Sequence, residues 1–321
     1  MDFSYSPKCE AMRAQVRDFM DDHVVPRLGL AQKEFDRGRF PLSFMEDLKA
    51  LAKSEGLWNV FLPRLHENEP GQGLTNLDYA PVAEIMGRVD WASEAFNCSA
   101  PDTGNMELLH LFATPEQSER WLRPLLNGEM RSAFAMTEPD VASSDATNIQ
   151  TSIRRDGNDY VINGRKWFIT NLARPDCRVI IVMGKTSFDG ASHRQQSMVL
   201  VPRETPGVEV IRNIATLNHH SAVGHCVVVL RDVRVPSENT CWVRKAADLP
   251  WPRRVSGRAE STTACGRSGS PSWRSTRCAR GRRTVRRSAN TSTSMARYRR
   301  ASRAHASRSI RHGFSSCARR G

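Results

Sequence analysis

The sequence predicts an α+β fold, with helices first and strands second, followed by a basic tail that lacks the apolar content to fold. Three observations carry this. Apolar residues recur at helical spacing as far as residue 132. From Ser132 the period drops to two, and glycine-containing turn signals separate short runs rich in β-branched residues. Residues 241–321 hold 21 Lys and Arg against 2 Asp and Glu, leaving 26 basic and 32 acidic residues before them. The net charge of +13 therefore divides into +19 for the tail and −6 for the body. Helices followed by strands argue for segregated domains rather than a doubly wound sheet. The expected divisions are an all-α domain over 1–132, a β-sheet domain of barrel or sandwich type over 133–240, and a disordered tail over 241–321.

In chain order, Met12, Val16, Phe19, Met20 and Val24 mark the first helix, which Pro26 is expected to end. Phe44, Leu48 and Leu51 mark a second between Pro41 and Leu57. Leu77 to Met86 and Met106 to Phe112 give two more. Thr114, followed by Pro115 and by Gln117 three positions on, has the pattern of a capping box, and Asn127-Gly128 stops that helix. Phe134 and Met136 alternate in a short strand broken by Pro139. Asp156-Gly157 and Asn163-Gly164 both read as hairpin turns. Strands follow at Val179–Met183, Ser197–Val201, Val208–Ile211 and Val227–Leu230.

Several classes are excluded or disfavoured. No apolar run approaches the roughly 20 residues of a membrane-spanning helix, and the N-terminus lacks the pattern of a secretory signal, so a cytoplasmic location is expected. No GxGxxG follows a strand and opens a helix, so a Rossmann nucleotide site is not supported. Cys9, Cys98, Cys177 and Cys226, and the tail cysteines Cys241, Cys265, Cys278 and Cys317, lack metal-site spacing and read as free. His219, His220 and His225 have no plausible set of co-ligands, so no metal is expected.

Two stretches carry chemistry. FAMTEPDVASSDATN, Phe134 to Asn148, is polar and turn-rich, and by itself reads equally well as a surface loop. YVINGRKWFITN, Tyr160 to Asn171, is the second. Together they resemble the flavin-binding half of the acyl-CoA dehydrogenase family: the first its TEP…SD loop, the second its NG(x)K(x)WIT strand. With the run APDTGNMELLH, Ala100 to His110, the version here is similar to the branch called family members ten and eleven. The resemblance covers about residues 1–240, including VRVPSEN, Val233 to Asn239.

The resemblance implies FAD as cofactor, an acyl-CoA thioester as substrate in fatty-acid β-oxidation, an electron-transfer flavoprotein as acceptor and a homo-oligomeric assembly. In the family's reaction a carboxylate takes the α-proton and the flavin takes the β-hydride, and the protein fixes and polarises the ring. The resemblance places the main chain of Phe134, Ala135, Met136 and Thr137 along one flavin edge, with the Thr137 hydroxyl near the pyrimidine ring. Donors there favour the reduced, anionic flavin. It places Ser143 and Ser144 near the pyrophosphate and the CoA arm, with Ser144 on the substrate side. It matches Phe168, Ile169 and Thr170 to the family's W-I-T triplet. Phe168 stands where the family usually has Trp, and Trp167 precedes it, which leaves open which aromatic faces the flavin. The alternative for this pair is ordinary alternation on the two faces of a strand.

The family's third domain is helical and supplies the catalytic base, most often near its end. Residues 241–321 contain 14 Ser and only 11 residues of the set I, L, V, M, F, W and Y, too few to offset chain entropy. A single missing base near codon 240 accounts for this. Shifted by one base, Ala259–Gly266 can read RIHHCMR, Thr284–Asn290 can read RAAFGK and the run from Ser307 to Ala318 or Arg319 can read EIDQARLLVLRA, all similar to family motifs and in family order. The competing reading is a non-enzymatic protein with a nucleic-acid-binding tail. It is disfavoured by the absence of a regular repeat or an aromatic stacking pattern.

Overall fold

The computed structural model describes residues 4–237, apart from 64, 66–68, 217–220 and 222. The 241–321 tail with its four cysteines, and His219 and His220, lie outside the described residues.

Helix α1 (Pro7–Phe19) starts where the Ser6 hydroxyl accepts the Cys9 N–H, and it buries Cys9, Met12, Val16 and Phe19 along one face. Pro26 does not end this helical path. The wider turn Met20–Val24 has already interrupted the i→i−4 ladder, and Pro26 falls in the next short turn, Val25–Arg27, where its missing N–H breaks little. The chain continues directly into α2 (Leu28–Asp36). Helices α3 (Met45–Ser54), α4 (Asn76–Met86) and α5 (Asp102–Phe112) follow. The Thr114 capping box opens α6 (Pro115–Gln117), which runs through a wide turn into α7 (Arg123–Asn127). Gly128 ends α7 at φ 74°, and a Cβ there would lie 2.7 Å from the Trp58 ring, so glycine is required both by backbone and by space.

Substituting Thr114→Ala is expected to lower unfolding free energy by about 1 kcal/mol, the usual worth of such a cap. A urea midpoint shift at constant slope measures it, and an unchanged midpoint would show that solvent satisfies the same groups.

Among the described residues seven strands form one curled half-barrel sheet: β1 (Arg131–Ala135), β2 (Ser152–Asp156), β3 (Asp159–Thr170), β4 (Cys177–Lys185), β5 (Gln196–Pro202), β6 (Val208–Asn213) and β7 (His225–Pro236). Their order is β1-β4-β2-β3-β7-β6, with β5 also paired to β4. The β1–β4 pair is parallel, and β2–β3, β3–β7, β4–β5 and β6–β7 are antiparallel. β4 explains how the two halves join. Val179, Ile181 and Met183 pack into the core shared with the helices, whereas Ile180 and Val182 pack into the sheet's own core. Burial on both faces is why this strand reads as an unbroken apolar run.

The Asp156-Gly157 signal is a true hairpin, with Asp156 opposite Asp159. Asn163-Gly164 is not a turn. It lies inside β3, at a shift in the β3–β7 register. Gly164 is there for close approach, since a Cβ would fall 2.2 Å from Thr151 Oγ1. Asn163 instead exchanges hydrogen bonds with Asp232, which holds φ 48° across the irregularity. No described helix is long and apolar enough to cross a membrane.

Candidate functional site

The two motif stretches meet at the open edge of β1. Leaving β1, the chain gives up its ladder after Ala135 and turns at Pro139. Across from it, Lys166 is an inward-facing residue of β3, fully buried despite its charge. An ammonium has three donors, and all three are used: on the Met136 carbonyl at 2.8 Å, on Glu138 Oε1 at 2.9 Å and on the Met183 carbonyl at 2.7 Å. Glu138 Oε1 also accepts from the Thr151 N–H and hydroxyl, and Oε2 from the Gln150 N–H. Burial lowers Lys166 to about 8 against the opposing pull of Glu138. Burial alone would raise Glu138, but the ammonium and the Thr151 and Gln150 donors hold its carboxyl below the usual range.

Just after Lys166 the β3–β7 register shifts again, between Lys166 and Ile169. Phe168 takes φ 53° there, a strained conformation for an aromatic residue. The strand therefore does not simply alternate. Lys166 and Ile169 are buried, while Trp167 is partly exposed and Phe168 is 43% exposed, with their rings edge to face at 4.9 Å. Thr137 ties the loop to this bulge. Its carbonyl accepts the Trp167 N–H at 3.0 Å, and its hydroxyl donates to the Trp167 carbonyl at 2.6 Å. Among the described residues the N–H groups of Met136 and Thr137 have no acceptor. Two main-chain donors without acceptors thus adjoin a partly exposed aromatic pair, and the space beside them is the candidate cleft.

The remaining expected site residues divide. Phe134 packs on the helical core and Ala135 on the sheet core, so their side chains are structural. Ile169 is buried, and the Thr170 hydroxyl pairs with His225 Nδ1 at 3.1 Å. Ser143 is buried. Its hydroxyl accepts the Glu138 N–H at 2.7 Å and donates to the Glu138 carbonyl at 3.2 Å, closing the loop on itself. Ser144 is exposed beside it.

A second polar cluster joins the helices to the site and was not singled out by the motifs. Buried Asp102, at the start of α5, accepts the Ser132 N–H at 2.7 Å and hydroxyl at 2.6 Å through Oδ1, and the Asn171 side-chain N–H at 2.9 Å through Oδ2. It thereby grips both β1 and the end of β3. Glu94 lies on the short turn Ala92–Phe96. It accepts a two-pronged pair from Arg174 at 2.8 and 2.9 Å, with Arg131 Nη2 at 3.1 Å and Lys49 at 3.4 Å. The Arg131 approach is off the hydrogen-bond angle, so its Nε and Nη2 keep charge contact but no hydrogen bond. Burial alone would raise Glu94, but Arg131, Arg174 and Lys49 hold it down to about 2. The signal for Asp102 was present in APDTGN, and for Lys166 in a lysine at an inward strand position. The four described cysteines are free and buried, and burial raises Cys98 and Cys177 to about 12, so their thiols are unreactive.

Helices packed on a curled half-barrel, with backbone donors facing an aromatic bulge, define the first two domains of a flavoprotein-type dehydrogenase. The comparisons with known proteins name it further. The acyl-CoA dehydrogenase N-terminal domain matches residues 6–129 and the acyl-CoA dehydrogenase middle domain matches residues 133–233. The chain belongs to the acyl-CoA dehydrogenase family, a family of oxidoreductases. It is 50% identical over 248 residues to the "Probable acyl-CoA dehydrogenase FadE2" of Mycobacterium tuberculosis, covering 74% of this chain and 58% of that protein. It is 48% identical over 251 residues to acyl-CoA dehydrogenase family member 11 of Gallus gallus, covering 74% of this chain and 31% of that protein. The chain thus spans only 58% and 31% of the length of these relatives. A solved Mycobacterium abscessus structure assigned to the acyl-CoA dehydrogenases superposes with TM-score 0.76 and 41% identity, covering 83% of this chain and 68% of that one. A Mycobacterium smegmatis glutaryl-CoA dehydrogenase in complex with FADH2 shares the fold, with TM-score 0.59 and 23% identity, covering 82% of this chain and 60% of that one.

Proposed function

We propose that residues 1–240 are the FAD- and acyl-CoA-binding portion of an enzyme that α,β-dehydrogenates an acyl-CoA in fatty-acid β-oxidation, and that a one-base frameshift near codon 240 leaves this chain without its catalytic domain. The observation that supports the flavin reading most is the cleft between Met136–Thr137 and Trp167–Phe168. Its donor set suits an isoalloxazine: unclaimed N–H groups for the ring's carbonyl and nitrogen acceptors, and an aromatic surface for its face. When bound there, FAD supplies the acceptor for the β-hydride. Met136 and Thr137 donate to its polar edge. Thr137 cannot donate there through its hydroxyl in this arrangement, because that proton is held by the Trp167 carbonyl. Ser144 is assigned to the CoA side.

Glu138 is the carboxylate closest in the chain to this cleft, and it is unsuited to act as the base. Four donors saturate its oxygens and hold it ionised and weakly basic. The α-proton is therefore assigned to a carboxylate beyond residue 240, with an electron-transfer flavoprotein as acceptor, a homo-oligomer as the intact assembly and the cytoplasm as the location.

Titration with FAD is expected to give saturable quenching of flavin fluorescence, weaker than with the frame-restored protein because part of the site's wall is missing. Phe168→Ala should weaken it further, by about tenfold, the scale of one aromatic packing surface. Absence of saturable binding would defeat the reading, and binding that Phe168→Ala leaves unchanged would move the flavin elsewhere.

A further inference from the structure

We propose that Lys166 is a positioning residue that aims the Thr137 N–H into the cleft by holding the Met136 carbonyl, an inference that rests on the flavin reading above. In a trans peptide the C=O of one residue and the N–H of the next point in opposite directions across a rigid plane. The Met136–Thr137 bond is not among the cis peptides of the chain. Lys166 Nζ lies in the fully buried interior and takes the Met136 oxygen at 2.8 Å. The Thr137 N–H must then face the other way, out of the core and toward the half-exposed side where Phe168 stands. Every other polar group of Thr137 is already used, carbonyl and hydroxyl alike, on Trp167. The same ammonium is anchored to β4 through the Met183 carbonyl, so the peptide plane is fixed to the sheet and not only to its own loop.

Lys166 also pairs with Glu138, and a purely structural role for that ion pair makes a different prediction. Glu138→Gln removes the charge pair but keeps an oxygen for Thr151 and leaves Lys166 on the Met136 carbonyl. Lys166→Met removes both. The test compares the two in the full chain, with FAD as the probe and circular dichroism as the check on folding. Aiming by Lys166 predicts that Lys166→Met weakens FAD binding by at least about tenfold and alters the shape of the bound flavin's visible absorption bands. Glu138→Gln should weaken binding by no more than about threefold and keep the wild-type bands. Lys166→Gln, which retains a donor but not the charge, carries the comparison if Lys166→Met does not fold. Its expected affinity is between wild type and Glu138→Gln if it reaches the carbonyl, and it too must alter the bands if it does not. Equal losses in the Lys166 and Glu138 variants, or wild-type affinity and bands without the ammonium, would overturn the proposal while leaving the flavin site in place. No FAD binding by the wild-type chain would remove the flavin reading and this inference together.

Discussion

Dye reduction by this chain, with FAD and acyl-CoAs of several lengths, is expected to run at least about 100-fold slower than by the frame-restored protein. Loss of a positioned base alone typically costs about 10²–10⁴-fold. Three described carboxylates at or near the site do not substitute for it: Glu138 is saturated by four donors, and Glu94 and Asp102 are buried among cations and amides at the joint between the two halves. The tail contributes only Asp248 and Glu260 as carboxylates, and neither lies in a motif resembling a base site. The restored reading frame itself is checked by resequencing around codon 240. Turnover within tenfold of the restored enzyme would place the base inside residues 1–240 and refute this account of the site.

Much of the fold was legible because single positions have strong local physics. Thr114 with Gln117, and Asp156-Gly157, admit few alternatives, and both formed as read. The run at Val179–Met183 formed a strand as read, and its burial on both faces emerged only from the packing. Misreadings came from glycine and proline, whose effects depend on neighbours far away in sequence. Asn163-Gly164 has the composition of a hairpin turn, but the reason for Gly164 is Thr151, which no local pattern exposes. Pro26 is a helix breaker only where the regular ladder is intact, and the wide turn before it removed that condition. The α2 helix after it was missed for the same reason.

Legibility of the site followed a similar division. The structure brings Thr137 of the first motif and Trp167 of the second into direct contact. The bulge at Phe168 was not readable, because a positive φ at an aromatic residue runs against local preference and is imposed by the pairing with β7. Nor was the role of Ser143, whose side chain serves its own loop. Charged residues inside apolar stretches, Lys166 and Arg131 above all, were the available signals for the buried networks. A charge in such a place must be paired, and the partner is set by tertiary structure.

Glu94 is where removing one such partner should cost most for the fold. Substituting Glu94→Gln is expected to destabilise the chain by about 3–5 kcal/mol at neutral pH, as is usual when one member of a buried ionic network is lost. The carboxylate faces Arg174, Arg131 and Lys49 at once, and Asp102 approaches Arg131 only at 3.5 Å while Asp176 engages only Arg174. Arg131 would be left fully buried with two nitrogens already lacking hydrogen bonds. The pH dependence gives an independent measure. Glu94 is held at about 2 in the folded chain against the ordinary 4.5, so its contribution is present above about 4.5 and is lost as pH falls toward 2. That interval corresponds to about 3 kcal/mol, in line with the mutational figure. The difference in unfolding free energy between wild type and Glu94→Gln should therefore be constant from pH 7 to about 5 and shrink steadily below it. Urea titrations at pH 7, 5, 4 and 3 read this directly. A difference that does not narrow on acidification would show that the network's worth lies in packing of the Glu94 side chain rather than in its charge.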